Sequence, residues 1–177
     1  MQKLSMDQLQ RADVETFKNQ EKTAITLVLD NVRSMHNVGS AFRTADGFAI
    51  EKIFLCGITA TPPHREIEKT ALGATQTIPW EHVEETTEAI KTLKELGYTI
   101  IAIEQAENSV LLQNFRHAKD AKYALIFGNE VNGVDEEVMT LVDYCIEIPQ
   151  FGTKHSFNVS VTIGIVTWDF IQKSKFS

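Results

Sequence analysis

Short apolar runs rich in β-branched residues alternate along this chain with longer stretches in which apolar side chains recur at helical spacing. Ala24-Ile25-Thr26-Leu27-Val28-Leu29-Asp30 is the clearest strand, and positions 52–56, 75–78, 98–104, 123–127 and 144–148 read the same way. Helices fit 6–17, 37–49, 84–96, 134–141 and 158–173. Apart from 75–78, the strands are apolar at nearly every position rather than every second one, so both of their faces need cover. Such strands interleaved with amphipathic helices predict an α/β fold, a mostly parallel sheet with helices on both faces.

The connections at 31–39, 57–64, 128–133 and 149–156 are rich in Gly, Asn, Ser and Pro, and each follows a predicted strand. Ligands of open α/β sheets bind outside the carboxyl ends of the strands, so function is expected in these connections. The chain has 177 residues, 43% of them hydrophobic, and no repeat or linker. That predicts one domain over 1–177, with about 1–20 as a short helical N-terminal extension.

Composition narrows the picture. No apolar stretch is long enough to cross a bilayer and the N-terminus is not signal-like, which predicts a soluble, cytoplasmic protein without a membrane partner. Cys56 and Cys145 sit in apolar runs with no ligand-spaced partner and read as inert core residues. His36, His64, His82, His117 and His155 are scattered, so no metal site is expected. A formal charge of -7 opposes binding of nucleic acid by bulk attraction. Acidic residues crowd into 81–95 and 135–137, however, while Arg33, His36, Arg43, Lys154 and His155 fall in or near the loops, which leaves room for a local basic face.

Three loops carry candidate chemistry. In the first, Asn37 reads either as the N-cap of a helix or as a ligand residue, and Arg43 lies almost two turns further on, where it and the free amides could meet one anionic group. In the second, Gly128 and Gly133 bracket Glu130 and serve either a tight turn or close backbone approach to a ligand. This loop lacks both the dinucleotide fingerprint and the Lys-Ser/Thr of a P-loop. In the third, Ser156, Asn158 and Ser160 gather at one helix entry, more capping-competent residues than one helix needs, with Lys154 and His155 beside them.

In this order, Asn37-Val38-Gly39-Ser40-Ala41-Phe42-Arg43-Thr44-Ala45, then Phe127-Gly128-Asn129-Glu130-Val131-Asn132-Gly133, then Ile148-Pro149, Gly152 and Ser156-Phe157-Asn158-Val159-Ser160 resemble the signature motifs of the SpoU (TrmH-like) branch of the SPOUT RNA methyltransferases. Phe157 stands where Leu is usual and Gln150 where Met is common. The resemblance covers about 24–173 and implies a C-terminal trefoil knot, a homodimer whose site draws on both subunits, and transfer of a methyl group from S-adenosyl-L-methionine to an RNA ribose 2′-oxygen, with tRNA ahead of rRNA. It implies a cofactor pocket on Gly128, Ile148 and Phe157, walled near Glu104 and Gln105. Catalytic positions fall on Asn37, Arg43, Glu130, Ser156 and Asn158, and RNA contacts on Arg33, His36, Arg43, Lys154 and His155.

The family often assigns the matching arginine a base role, but a guanidinium keeps its proton in proteins. Arg43 is therefore expected to grip the phosphate beside the target ribose and stabilise the developing alkoxide, with either that phosphate or a transiently neutral Arg43 receiving the proton. Glu130 is expected to organise the loops, within the chain or across the dimer, or else to neutralise Arg43. The rival reading is a noncatalytic RNA-binding protein that retains the fold; a nucleotide-dependent oxidoreductase fits the alternation but lacks its glycine fingerprint.

Overall fold

A computed structural model describes residues 1–5, 7–9, 11–118 and 120–176. The elements are α1 (Val14–Asn19), β1 (Thr23–Asp30), α2 (Met35–Gly47), β2 (Ile50–Cys56), α3 (Arg65–Ala71), β3 (Trp80–Val83), α4 (Thr86–Glu95), β4 (Tyr98–Ile103), β5 (Val110–Leu111), β6 (Lys122–Phe127), α5 (Glu136–Met139), β7 (Tyr144–Glu147) and α6 (Val159–Lys175). Seven strands form one sheet in the order β3-β2-β1-β6-β4-β7-β5, and every pairing is parallel.

Alternate residues of the central strands feed two cores. Leu27, Leu29, Ile101, Leu125 and Phe127 pack on one face with Val38, Phe42, Ile67, Val166 and Phe170 from α2, α3 and α6. Val28, Ile100, Ala124 and Ile126 pack on the other with Ala89, Ile90 and Leu93 of α4 and Val138 of α5. A parallel strand with helices on both sides has no solvent face, which is why these strands are apolar throughout. Each fully buried Leu or Ile contributes about 1.5–3 kcal/mol.

Two expectations are corrected. The helix expected over 6–17 is a 3-10 turn at Asp7–Leu9 followed by α1, because the Asp13 side chain accepts the Thr16 amide and starts a new helix there; Met6 and Gln10 lie outside the described residues. The strand expected at 75–78 is a 3-10 turn at Ala74–Gln76. Pairing with β2 starts only where Ile53 N donates to Pro79 O, so β3 begins later, at Trp80. The short helix α3 and the two-residue β5 were not anticipated; neither is long enough to show a period. Cys56 is buried with its thiol pushed up to about 12, chiefly by desolvation; Cys145 is half-buried rather than in the core, and its thiol is raised for the same reason, which disfavours the reactive thiolate at both. Among the described residues no helix is long and apolar enough to cross a membrane.

β1 and β6 are neighbours at the centre of the sheet, and the chain leaves their carboxyl ends toward α2 and α5 respectively. The first and second motif loops therefore start side by side.

Candidate active site

Helix α2 begins one residue after Ser34, whose hydroxyl accepts the Asn37 amide as the N-cap. Asn37 is thus not the cap expected from the sequence. It lies buried in the first turn and donates its side-chain amide to Glu130 Oε1 at 2.9 Å. The same carboxylate accepts Ser34 N at 3.0 Å and Arg33 N at 2.9 Å. Partial burial pushes the Glu130 carboxyl up, but the donors Arg33 N, Asn37 and Ser34 N together outweigh it and hold the group below the usual Glu value. Glu130 thereby fastens the loop after β6 to the loop after β1 within one chain, and it forms no ion pair with Arg43.

The loop after β6 is itself closed. Asn129 and Gly133 exchange backbone hydrogen bonds at 2.9 Å, Asn129 Oδ1 accepts Val131 N and Asn132 N, and its Nδ2 donates to Asn31 O. A Cβ on Gly128 would lie 2.2 Å from Gly133 C and Val134 N, so the returning backbone itself demands glycine there. Gly133 adopts φ +71, and a Cβ on it would strike the Glu104 carboxylate. The returning backbone and Glu104 thus account for both glycines, and both also line the cleft described below. Glu104, at the end of β4, accepts Val134 N at 3.1 Å and Gln105 N at 2.8 Å.

The third loop enters α6, with Asn158 as N-cap: its Oδ1 accepts Ser160 N at 2.8 Å and the Ser160 hydroxyl at 2.6 Å. Ser156, Phe157 and Asn158 are exposed. This loop, the second loop and the carboxyl ends of β4, β6 and β7 enclose a cleft of about 660 Å³. A more open recess of about 530 Å³ beside α1 is lined by Asp13, Glu15, Thr16, Asn19 and Gln20 and touches none of the motif loops.

The cleft brings together Glu104, Gln105, Gly128, Glu130, Ile148, His155, Ser156, Phe157 and Asn158. Arg33, His36, Asn37, Arg43 and Lys154 do not line it. His36 binds Glu66 Oε2 of α3 at 2.7 Å, and that bond, with Lys69 nearby, holds the Glu66 carboxyl low. Arg43 is exposed on α2, about 9 Å along the helix axis from Asn37, and has no hydrogen bond or ion pair with any described residue. Sequence reasoning missed three supporting residues. Asn129 and Ser34 act through short turns whose partners are distant or only local in sequence. Gly39 lets α2 approach α3, since a Cβ there would lie 2.1 Å from Thr70 Oγ1 and 2.2 Å from Ile67 O. Among the described residues no group of three or more His, Cys, Asp or Glu side chains could hold a metal ion.

A parallel α/β sheet with a cleft of this size at its carboxyl edge, walled by mixed apolar and polar groups, defines a protein that binds a small organic ligand. The chain belongs to the SpoU rRNA methylase family, whose model matches residues 24–168. It is 32% identical over 171 residues to a putative TrmH family tRNA/rRNA methyltransferase of Staphylococcus saprophyticus, covering 93% of this chain and 67% of that one. It is 29% identical to the 23S rRNA (guanosine-2′-O-)-methyltransferase RlmB of Neisseria meningitidis (86% of this chain, 60% of that one) and 27% identical to the tRNA (guanosine(18)-2′-O)-methyltransferase of Borreliella burgdorferi (94% and 75%). Among solved structures, the AdoMet-bound rRNA methyltransferase of Sinorhizobium meliloti superposes with a TM-score of 0.80 at 27% identity, over 89% of this chain and 59% of that one. The A. aeolicus TrmH/SpoU tRNA modifying enzyme shares the fold, with a TM-score of 0.78 at 24% identity over 90% and 79%. The chain thus spans only 60–67% of the length of the Neisseria and Staphylococcus proteins.

Proposed function

We propose that this chain is one SpoU-type methyltransferase domain that uses S-adenosyl-L-methionine to methylate an RNA ribose 2′-hydroxyl. The observation that carries the reading is that all five residues the family resemblance assigns to the cofactor, Glu104, Gln105, Gly128, Ile148 and Phe157, line one cleft at the carboxyl ends of β4, β6 and β7. Its volume of about 660 Å³ and its mixed walls suit a nucleoside-sized ligand. When bound, the cofactor supplies an electrophilic methyl group on a sulfonium. Ile148 and Phe157 offer apolar surface, and the exposed Ser156 hydroxyl offers polar contact. Glu130 and Asn37 fix the start of α2, and with it the direction in which Arg43 is presented.

Arg43 is the residue for the acceptor. Its unpaired, exposed guanidinium suits bidentate contact with a phosphate beside the target ribose, where it also stabilises charge developing on the 2′-oxygen. Arg43 lines no part of its own chain's cleft, which supports a homodimer in which the partner subunit's α2 faces that cleft. α6 supports the dimer too. It buries Ile163, Val166, Phe170 and Ile171 yet leaves Val161, Ile165 and Trp168 exposed at helical spacing, continuing the line from Phe157. The knotted C-terminal path and the RNA contacts of Arg33, Lys154 and His155 belong to the same reading, whereas His36, paired with Glu66, is the least available of that set. Relatives named for tRNA and for rRNA both match, so either RNA fits as the acceptor and the mapping below decides between them.

Calorimetry with S-adenosylmethionine, followed by mapping of 2′-O-methylated nucleotides in RNA from cells with and without the protein, tests this. Saturable binding and loss of one modified position are expected. RNA binding without cofactor binding would instead leave a noncatalytic RNA-binding protein.

A further inference from the structure

We propose that Gln105, which belongs to none of the three motifs, is a positioning residue that latches the third loop against the cleft and so sets cofactor affinity; this rests on the cofactor reading of that cleft. The loops around the cleft are held very unequally. The second is crossed by two backbone hydrogen bonds, by the side chain of Asn129, by Glu104 and by the three bonds of Glu130. Residues 149–157 of the third make no backbone–backbone hydrogen bond at all. Two side-chain amides hold that loop, and both converge on one acceptor: Gln105 Nε2 donates to His155 O at 2.7 Å and Gln150 Nε2 to the same atom at 3.4 Å. The shorter bond comes from Gln105.

Gln105 is well placed as an anchor. Its own amide donates to Glu104 Oε1 at 2.8 Å, Glu104 Oε2 accepts Val134 N at 3.1 Å, and Glu104 N donates to Ile146 O at 3.1 Å. A continuous set of bonds therefore runs from the second loop through the end of β4 to the His155 carbonyl. The next residues along, Ser156, Phe157 and Asn158, also line the cleft. An exposed loop with so few bonds opens at low cost in free energy, so its closed population depends on each latch. Loss of one such hydrogen bond corresponds to roughly a fivefold change in an equilibrium.

The test compares Gln105→Ala, Gln105→Glu and Gln150→Ala in the full chain. Gln105→Glu is nearly isosteric but cannot donate, and it sets a carboxylate against the His155 carbonyl. S-adenosylmethionine affinity is expected to fall ~5-fold in Gln105→Ala, further in Gln105→Glu and less in Gln150→Ala. KM for the cofactor should rise more than kcat falls. Without ligand, tryptic cleavage after Lys154 should accelerate in both Gln105 variants while the urea midpoint holds, a pattern that general destabilisation would not produce. Binding within twofold of wild type in both variants, or unchanged cleavage after Lys154, overturns the latch. A wild-type protein that binds no S-adenosylmethionine overturns the functional reading instead, and the proteolysis measurement still decides whether Gln105 holds the loop.

Discussion

The Asn37 side chain donates to Glu130 at 2.9 Å across 93 residues of sequence, joining the helix that carries Arg43 to the loop that walls the cleft. The two sides of the site are therefore positioned by one carboxylate, which also accepts Arg33 N and Ser34 N.

Asn37→Asp should damage this junction more than Asn37→Ala at pH 7. Two carboxylates at hydrogen-bond distance cannot both ionise without repulsion, whereas Ala only removes one donor. Urea unfolding should show Asn37→Asp as the less stable variant by about 1 kcal/mol or more at pH 7, with the difference shrinking toward pH 4 as one proton is shared. Equal stability at pH 7 would mean that the Asn37–Glu130 contact is not formed.

The Glu130 carboxyl is held below its ordinary value in the fold, so the unfolded chain takes up its proton first as pH falls. Its contribution is fully present above the unfolded Glu value near ~4.3 and is lost as pH drops through the lower folded value. Glu130→Gln should remove that part of the acid dependence, flattening the stability curve below about pH 5 relative to wild type. An identical acid limb in both proteins would contradict the network.

Gly39→Ala sets two effects against each other. Alanine is the better helix former by about 1 kcal/mol, yet its Cβ would meet Ile67 O at 2.2 Å and Thr70 Oγ1 at 2.1 Å. Overpacking against backbone costs about 1–3 kcal/mol, so the steric effect should win and the melting temperature should fall by a few degrees. Gly128→Ala has no helical gain to offset its clash and should lose cofactor affinity as well. A rise in melting temperature for Gly39→Ala would show that α2 and α3 are not in close contact.

Arg43→Ala should leave stability within about 0.5 kcal/mol, since the side chain is exposed and unpaired, while single-turnover methyl transfer falls by roughly 100-fold or more. Arg43→Lys should fail to restore it, because an ammonium cannot make the planar bidentate contact. Mixing Arg43→Ala chains with Gly128→Ala chains tests the shared site. If the arginine serves the partner subunit's cleft, re-equilibrated dimers should recover about a quarter of wild-type activity. If it serves its own, the mixture stays as inactive as its components.

The sequence alone was enough for the α/β class, the burial of β1, β4 and β6 on both faces, and the three loops, because apolar periodicity and loop chemistry are local properties. The motif resemblance, itself a property of the sequence, also picked the cleft-lining Gly128, Ile148 and Phe157. What the tertiary structure decided is how those loops meet. That Ser34 rather than Asn37 caps α2, that Glu130 spends its carboxylate on the first loop rather than on Arg43, and that Gly39 is required by the backbone of α3 all depend on partners 28 to 97 residues away or on the exact start of a helix. Local pattern carries no record of such distances. Packing β1 beside β6 creates them, and with them the difference between a firmly held second loop and a third loop held through a single carbonyl.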